Sequence, residues 1–466
     1  MKRLFKIGLF AAILVTFTGT LHAEEGLEEV WYNERTTDGS EYGRAVAATP
    51  DGGYVVAGQT SANLPNQSVR GFTDGFVTKY NSSGKIEWQK LYGTEGNDEL
   101  WDIIPTSDGG YLAAGYTLVT RDTTHGDGFL VKIDANGNEE WQYKTSYTSF
   151  DIFHKVVELD DGTYLATGEG SSKVNIVKVD KNGNLVSENY HNIEDGSANN
   201  FSDSTITTRG TVLIAGSLDG ASAAPGRVVF VVEVDKSGNV LSSKLYPSAT
   251  RNFANFTSIS ATSDGGFIYS AVEIKINAEG VRTDYSVVVK CDSNGDVEWE
   301  SEYEGFSIHD TFVNTNGYVY VARAGTFPDY GAKVITANLD GTHKATYDVL
   351  NSEGKEVYGS AVKSSDGSYI LSWTMNGEEF AMKFKITSEE DTIVIPPVDG
   401  NQGQNYNQNQ ESNQTQNGIN TANSGSNTTS SNAIAPATGD TTNVVLFMSL
   451  ALLSVLTINK LIEKKY

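Results

Sequence analysis

The segments DGGYLAAG (108–115) and FLVKIDANGNEEW (129–141) decide how this chain reads. Each joins a tight Gly-Gly or Asn-Gly turn to a short run of aliphatic and aromatic residues, the pattern of strands at a hairpin. Both segments recur. The first returns as DGGYVVAG (51–58), DGTYLATG (161–168), RGTVLIAG (209–216), DGGFIYSA (264–271), NGYVYVAR (316–323) and DGSYILSW (366–373). The turn glycines Gly52, Gly109, Gly162, Gly210, Gly265, Gly317 and Gly367 are spaced by 57, 53, 48, 55, 52 and 50 residues. The second returns as FVTKYNSSGKIEW (76–88), NIVKVDKNGNLVS (175–187), FVVEVDKSGNVLS (230–242) and VVVKCDSNGDVEW (287–299). It is worn in VITANLDGTHKA (334–345) and stops at FAMKFKIT (380–387).

Each unit holds four alternating strand-like runs: a before the DGG turn, b after it, c (FLVKID) and d (EEWQYK). Units of this length with four antiparallel strands predict a β-propeller. The N-terminus settles the count. Trp31 precedes Asp51 by 20 residues, as Trp88 precedes Asp108 and Trp141 precedes Asp161. Residues 28–33 are therefore a d-type strand without a blade, and the seventh unit lacks its own. The expected fold is all-β, a seven-bladed propeller of four-stranded antiparallel blades closed by the N-terminal strand, over residues 24–395. Closure removes the edges that an open array would expose. The repeat resembles the DGGY / D-x-N-G-x-x-x-W propeller repeats of secreted bacterial proteins, over about residues 28–387. That resemblance implies a fold and leaves function open, because propellers host binding modules and enzymes alike.

The chain has 466 residues, a formal charge of −25 and one cysteine, Cys291. The negative charge argues against a nucleic-acid partner, which needs clustered Lys and Arg. A single cysteine excludes an intramolecular disulfide and cysteine-based metal clusters. Within a c strand, Cys291 reads as a small buried residue.

Both ends read as targeting segments. Lys2, Arg3 and Lys6 precede an apolar run from Ile7 to Leu21, with Ala23 as a small residue for cleavage, so 1–23 reads as a signal peptide. At the other end, Ala435-Pro436-Ala437-Thr438-Gly439 stands before an apolar stretch at 444–458 and the basic residues Lys460, Lys464 and Lys465. Segment 435–466 resembles the sorting signal of Gram-positive cell-wall proteins, whose pattern is Leu-Pro-X-Thr-Gly. The resemblance implies a sortase that cuts between Thr438 and Gly439 and joins Thr438 to peptidoglycan, with Ala435 in place of the usual Leu. The expected address is the cell wall of a Gram-positive bacterium, with the membrane touched only by the C-terminal segment before sorting. Residues 396–434, rich in Asn, Gln, Ser, Thr and Gly, read as a disordered tether reaching roughly 120 Å when extended. Residues 24–439 omit six basic residues (Lys2, Arg3, Lys6, Lys460, Lys464, Lys465) and two acids (Asp440, Glu463). They keep 28 basic against 57 acidic side chains, a charge of −29.

Alternation puts the short a–b and c–d turns on one face of the disc and the long, unlike d–a and b–c connections on the other. The stretches 59–74, 118–127, 217–226, 273–284 and 190–201 read as such connections. Function gathers on variable loops held by a rigid scaffold. The candidate ligand face therefore comprises Arg70, Phe72, His125, Tyr147, His191, Phe256, His309 and Tyr330. An acid recurs ten positions before the DGG aspartate, as Glu41, Asp98, Asp151 and Glu356, with Asn199 in the fourth unit. It reads as a cap at the start of strand a or as a ring holding a cation. Asp292, Asn294, Asp296 and Glu298 alternate like the start of a calcium loop. The same letters suit a hairpin turn, and no other cofactor is indicated. The Trp residues at 31, 88, 141 and 299 share one unit position and read as blade packing.

There is no zinc-protease, nucleophile-elbow or P-loop motif. The five histidines beyond the signal peptide (125, 154, 191, 309, 343) read as occupying unrelated unit positions, and no catalytic residue is assigned. The leading expectation is a wall-anchored adhesion protein whose loop face binds a glycan or a host or matrix protein. The alternative is a secreted enzyme acting on polysaccharide, a hydrolase or lyase.

Overall fold

The computed structural model describes residues 26–387 except 36–37, 119–125, 146–149, 194–196, 220–226, 248–252, 277–281, 327–328, 351–357 and 376–377. The chain divides after Val394, and the second unit, Ile395–Tyr466, lies outside the described residues, as do residues 1–25, so the segments read as signal peptide, tether and sorting signal all fall there. Among the described residues no helix is long and apolar enough to cross a membrane.

The described residues form 28 strands in seven four-stranded antiparallel sheets. Blades I to VI are β2–β5 (41–92), β6–β9 (98–144), β10–β13 (151–191), β14–β17 (197–246), β18–β21 (253–304) and β22–β25 (306–350). Blade VII combines β26–β28 (358–387) with β1, Gly26–Arg35. Strand β1 pairs antiparallel with β28, Glu378–Thr387, from Gly26 opposite Thr387 to Arg35 opposite Glu379. The ring is closed by its first strand, as the offset of Trp31 predicts.

Packing explains the strand composition. Seven apolar clusters occupy the seven blade–blade interfaces, from Val55, Phe129 and Val131 between blades I and II to Val56, Phe76 and Ile370 between VII and I. A middle strand is covered on both sheet faces, so b and c strands such as β4, Asp74–Tyr80, are buried throughout. The outer strand d has a free edge, and β9, Glu139–Lys144, is mostly half-buried or exposed. All seven clusters and the closing pair lie within 26–387, so this ring carries a complete core of its own.

The turns at the ends of these strands follow from their letters. The Asp134 carboxylate accepts the N–H groups of Asn136 and Asn138, both at 2.8 Å, and Gly137 takes the positive φ that closes the turn. The Trp88 indole packs on that turn, where a Cβ at Gly137 would stand, and donates to the Ala135 carbonyl at 3.1 Å. Trp141 donates likewise to Lys181 of blade III and Trp31 to Ser82 of blade I. These tryptophans are blade-to-blade contacts.

A further repeated device escapes a sequence reading. The c-strand lysine is buried and paired with the DGG aspartate: Lys79 with Asp51 at 2.8 Å, Lys132 with Asp108 at 2.9 Å and Lys290 with Asp264 at 2.8 Å. A d-strand glutamate, Glu87, Glu140 or Glu298, completes each triad. Blade IV, where the DGG letter is Arg209, inverts the pair, and Arg209 meets Glu233 at 2.8 Å.

One expectation about the connections changes. The stretch 273–284 is largely hairpin: β19, Phe267–Ile276, and β20, Arg282–Cys291, pair out to Ile276 opposite Arg282. Blade VI extends similarly, with β23, Gly317–Thr326, paired to β24, Asp329–Ala337. Both hairpins run on beyond the buried core of their blades, and at the blade V tip Lys275 and Ile276 are exposed.

Candidate functional site

A cavity of about 600 Å³ opens where the inner strands surround the central channel. Its lining includes the first half of these strands and the b–c ends of blades III, V and VI, so it lies at the end of the disc that carries the unlike connections. The turn end contributes none of the lining.

One backbone feature builds the lining. In each of blades I to VI the inner strand carries a register shift against its neighbour, between 43 and 45, 100 and 102, 153 and 155, 201 and 203, 256 and 258, and 308 and 310. Such a bulge inserts one residue and re-aims side chains. The inserted residue stands seven positions before the first letter of the b-strand turn in every case: Arg44, Trp101, His154, Ser202, Thr257 and His309. Blade VII has Gly359 there, with regular pairing. His154 and His309 thus occupy equivalent positions, contrary to the expectation that the histidines are unrelated. The intervals between neighbouring histidines hide the match, because the two stand three blades apart.

Across blades I to III the inserted side chains form a continuous wall. The Arg44 guanidinium sits 4.9 Å over the Trp101 ring, and His154 meets that ring edge-on at 4.8 Å. Glu99 ties the wall together, accepting from Arg44 at 3.2 Å and from the Trp101 indole at 3.1 Å. Thr257 and Gly359 leave the far side open, with His309 between them.

The next residue of the bulge ties blade to blade. Asp102, Asp203 and Asp310 each accept a backbone N–H of the following blade: Val156 at 2.9 Å, Ile259 at 2.9 Å and Ala361 at 3.0 Å. Lys155 stands among them, 3.4 Å from Asp102 and 3.6 Å from Asp203. Burial works against its charge, but these carboxylates outweigh it and hold its pKa above the ordinary value. Burial moves Asp310 up to about 7, with Lys155 opposing and Asp203 adding. Glu169, half-buried at the cavity side, is raised to about 7 by burial alone. The same cause lowers His154 to about 3 and His309 to about 4, so both are neutral at pH 7. His154 Nε2 is buried without a hydrogen-bond partner. The site therefore offers neutral imidazoles, an aromatic wall, paired cations and two carboxyls that exchange protons near neutrality.

Of the eight ligand-face candidates, His309 and Phe256 line this cavity. Phe256 is only 2% exposed and belongs to the core between blades IV and V, so it is foundation rather than contact surface. Arg70 and Phe72 are exposed on the 59–74 connection of blade I, outside the cavity, and the Arg70 N–H donates to Asp74 at 3.1 Å. His191 ends β13, Leu185–His191, the outer strand of blade III, which removes it from the channel. Tyr330 lies in β24 opposite Gly325. His125 and Tyr147 fall outside the described residues, as do Glu356 and the residues Ala435 to Gly439 read as a sorting motif.

The recurring acids Glu41, Asp98 and Asp151 are fully buried at the start of strand a. Asp98 accepts the Thr94 N–H at 2.6 Å, and Asp151 accepts from the Tyr190 hydroxyl at 3.0 Å. Asp98 is thus a local cap, whereas Asp151 ties the inner strand of blade III to its outer strand. In the 292–298 segment, Asp292 accepts the N–H groups of Asn294 and Asp296 at 2.8 Å. Asp296 pairs with Lys244 at 2.7 Å, and Glu298 is the triad partner of Lys290. Among the described residues no three His, Cys, Asp or Glu side chains cluster closely enough to hold a metal ion.

No protein-family model matches the chain, and no curated protein matches it. Solved structures do. A polysaccharide lyase described as a PL25 ulvan lyase aligns over 77% of this chain and 96% of its own, at 10% identity and a TM-score of 0.49. Polysaccharide lyase Uly1 aligns over 74% and 90%, at 11% identity and 0.49. Drosophila plexin A, solved with semaphorin 1b, aligns over 76% and 86%, at 9% identity and 0.45. The likeness is one of fold.

Proposed function

We propose that this chain is a surface-displayed glycan-binding propeller that takes its ligand at the channel mouth. The observation that carries the reading is the contrast between repeated and unrepeated positions. The triads of blades I, II and V and the Asp-x-Asn-Gly turns recur as parts of the blade, whereas the bulge position carries mostly different residues and faces a cavity of about 600 Å³. Fixed polar groups with an aromatic wall suit a hydroxyl-rich ligand. The display route comes from the two ends: a signal peptide, sortase joining of Thr438 to peptidoglycan, and the 396–434 tether holding the ring outward. A host or matrix protein on the same face is the other adhesion partner.

The test is retention of the 26–387 ring on an array of glycans and matrix proteins. Specific retention on glycans, lost in Arg44→Ala and His309→Ala rings that melt normally, supports the reading. Retention unchanged by both substitutions contradicts it. A second reading, a polysaccharide-cleaving enzyme, is favoured by Glu169 and Asp310, which sit near neutrality beside the neutral His154 and His309. Such groups can take and give protons at pH 7. New chain ends released from a polysaccharide, and absent with Glu169→Gln, would identify catalysis.

A further inference from the structure

The charges around the channel mouth do not cancel, and the imbalance specifies the ligand more narrowly. Among the described residues three cations line the cavity, and each already has an acid: Arg44 with Glu99 at 3.2 Å, Lys155 with Asp102 and Asp203, and Arg323 with Asp284 at 4.0 Å. The two lining histidines add no positive charge at pH 7, because burial keeps them neutral. Glu169 has no cation beside it, and Asp310 is a third acid drawing on Lys155, which Asp102 and Asp203 already hold. Asp310 uses one oxygen on the Ala361 N–H. Glu169 stands at the end of β11, Tyr164–Gly170, facing the cavity.

From this geometry we propose that the glycan is cationic: a saccharide bearing free, protonated amino groups, whose ammonium groups settle against Glu169 and Asp310. The inference rests on the channel mouth being a glycan site. Two further observations agree with it. A buried carboxyl with no cation, or with only a share of one, is disfavoured in its charged form, and an incoming ammonium group supplies the missing charge. The ring also belongs to a segment of charge −29, which draws cations and repels anionic polymers. An anionic ligand would have to displace Glu99, Asp203 or Asp284 from its cation.

Calorimetry of the 26–387 ring with a glucosamine tetramer and with the fully N-acetylated tetramer, at pH 7 and low salt, separates the possibilities. The free-amine form is expected to bind about tenfold or more tightly, the margin of one desolvated ion pair. The margin should shrink as salt is raised. In a Glu169→Gln/Asp310→Asn ring with normal melting, the margin between the two tetramers should vanish. Equal affinities for the two tetramers in the native ring would overturn the charge inference and leave the glycan site standing. A margin that survives in the double variant would place the amine elsewhere and also overturn it. Failure of both tetramers and of every array glycan, on a ring with normal melting, would remove the glycan reading itself.

Discussion

The two ends of this disc are built from the same seven units and follow opposite rules. At the turn end, position after position repeats: Asp51, Asp108 and Asp264 each clasp a buried lysine, and the Asp-x-Asn-Gly turns receive the tryptophan of the preceding blade. At the channel end, one bulge position carries Arg44, Trp101, His154, Thr257 and His309 in turn. A repeated residue answers a need of the repeat. A residue that varies on a repeated backbone is available to answer something outside it.

The largest expected effect comes from breaking the ring. A chain without residues 26–35 leaves β28 an open edge and strips Trp31 from blade I, so cooperative thermal unfolding followed by circular dichroism should be lost. A ring that still melts as one transition would show that closure is not what holds the blades together. At the turn end, Lys132→Met should cost about 2 kcal/mol, since it removes two charge-assisted bonds from a side chain only 1% exposed. Blade IV offers a sharper version. Arg209→Asp sets a second acid beside Glu233 and should lower stability by roughly 1 kcal/mol in urea unfolding. Adding Glu233→Lys, which restores the polarity of the other blades, should recover it.

Much of this architecture was legible in the letters. The seven glycine turns, the Asp-x-Asn-Gly hairpins and the 20-residue offset of Trp31 are local requirements of turns and strand pairing, and these have fixed residue types. The channel wall was not legible for a physical reason. Its backbone bulge repeats but its side chain does not, so there is no letter to search for. Only counting back from each turn aligns His154 with His309. The inverted pair of blade IV was hidden likewise: Arg209 reads as a worn aspartate until Glu233 is seen opposite it. Phe256 misled the sequence reading because an aromatic near a connection looks like contact surface, whereas here it fills an interblade gap.

At the channel end, stability and function should part. Glu169 has its folded pKa raised to about 7 from an ordinary 4.5, so the folded chain holds a proton that the unfolded chain releases between those values. Its contribution is therefore most favourable at low pH and is lost as pH rises through 7. Glu169→Gln should stabilise the ring by about 1–2 kcal/mol at pH 8 and by almost nothing at pH 4.5, measured as unfolding midpoints. The smallest expected effect is that of calcium. With Asp292 spent on its own turn and Glu298 on Lys290, addition or chelation of calcium should leave the melting temperature unchanged. A calcium-dependent rise would reopen residues 292–298 as a cation site.

The most direct test compares one residue type at the two ends. Trp141→Ala removes a tryptophan that packs on the next blade's turn, and Trp101→Ala removes one from the channel wall. Melting temperature and glycan affinity would be measured for both variants, with affinity taken well below the melting transition. Trp141→Ala should lower the melting temperature and leave affinity intact, while Trp101→Ala should abolish binding at a much smaller cost in stability. If Trp101→Ala binds as the native ring does, the channel mouth is not the site.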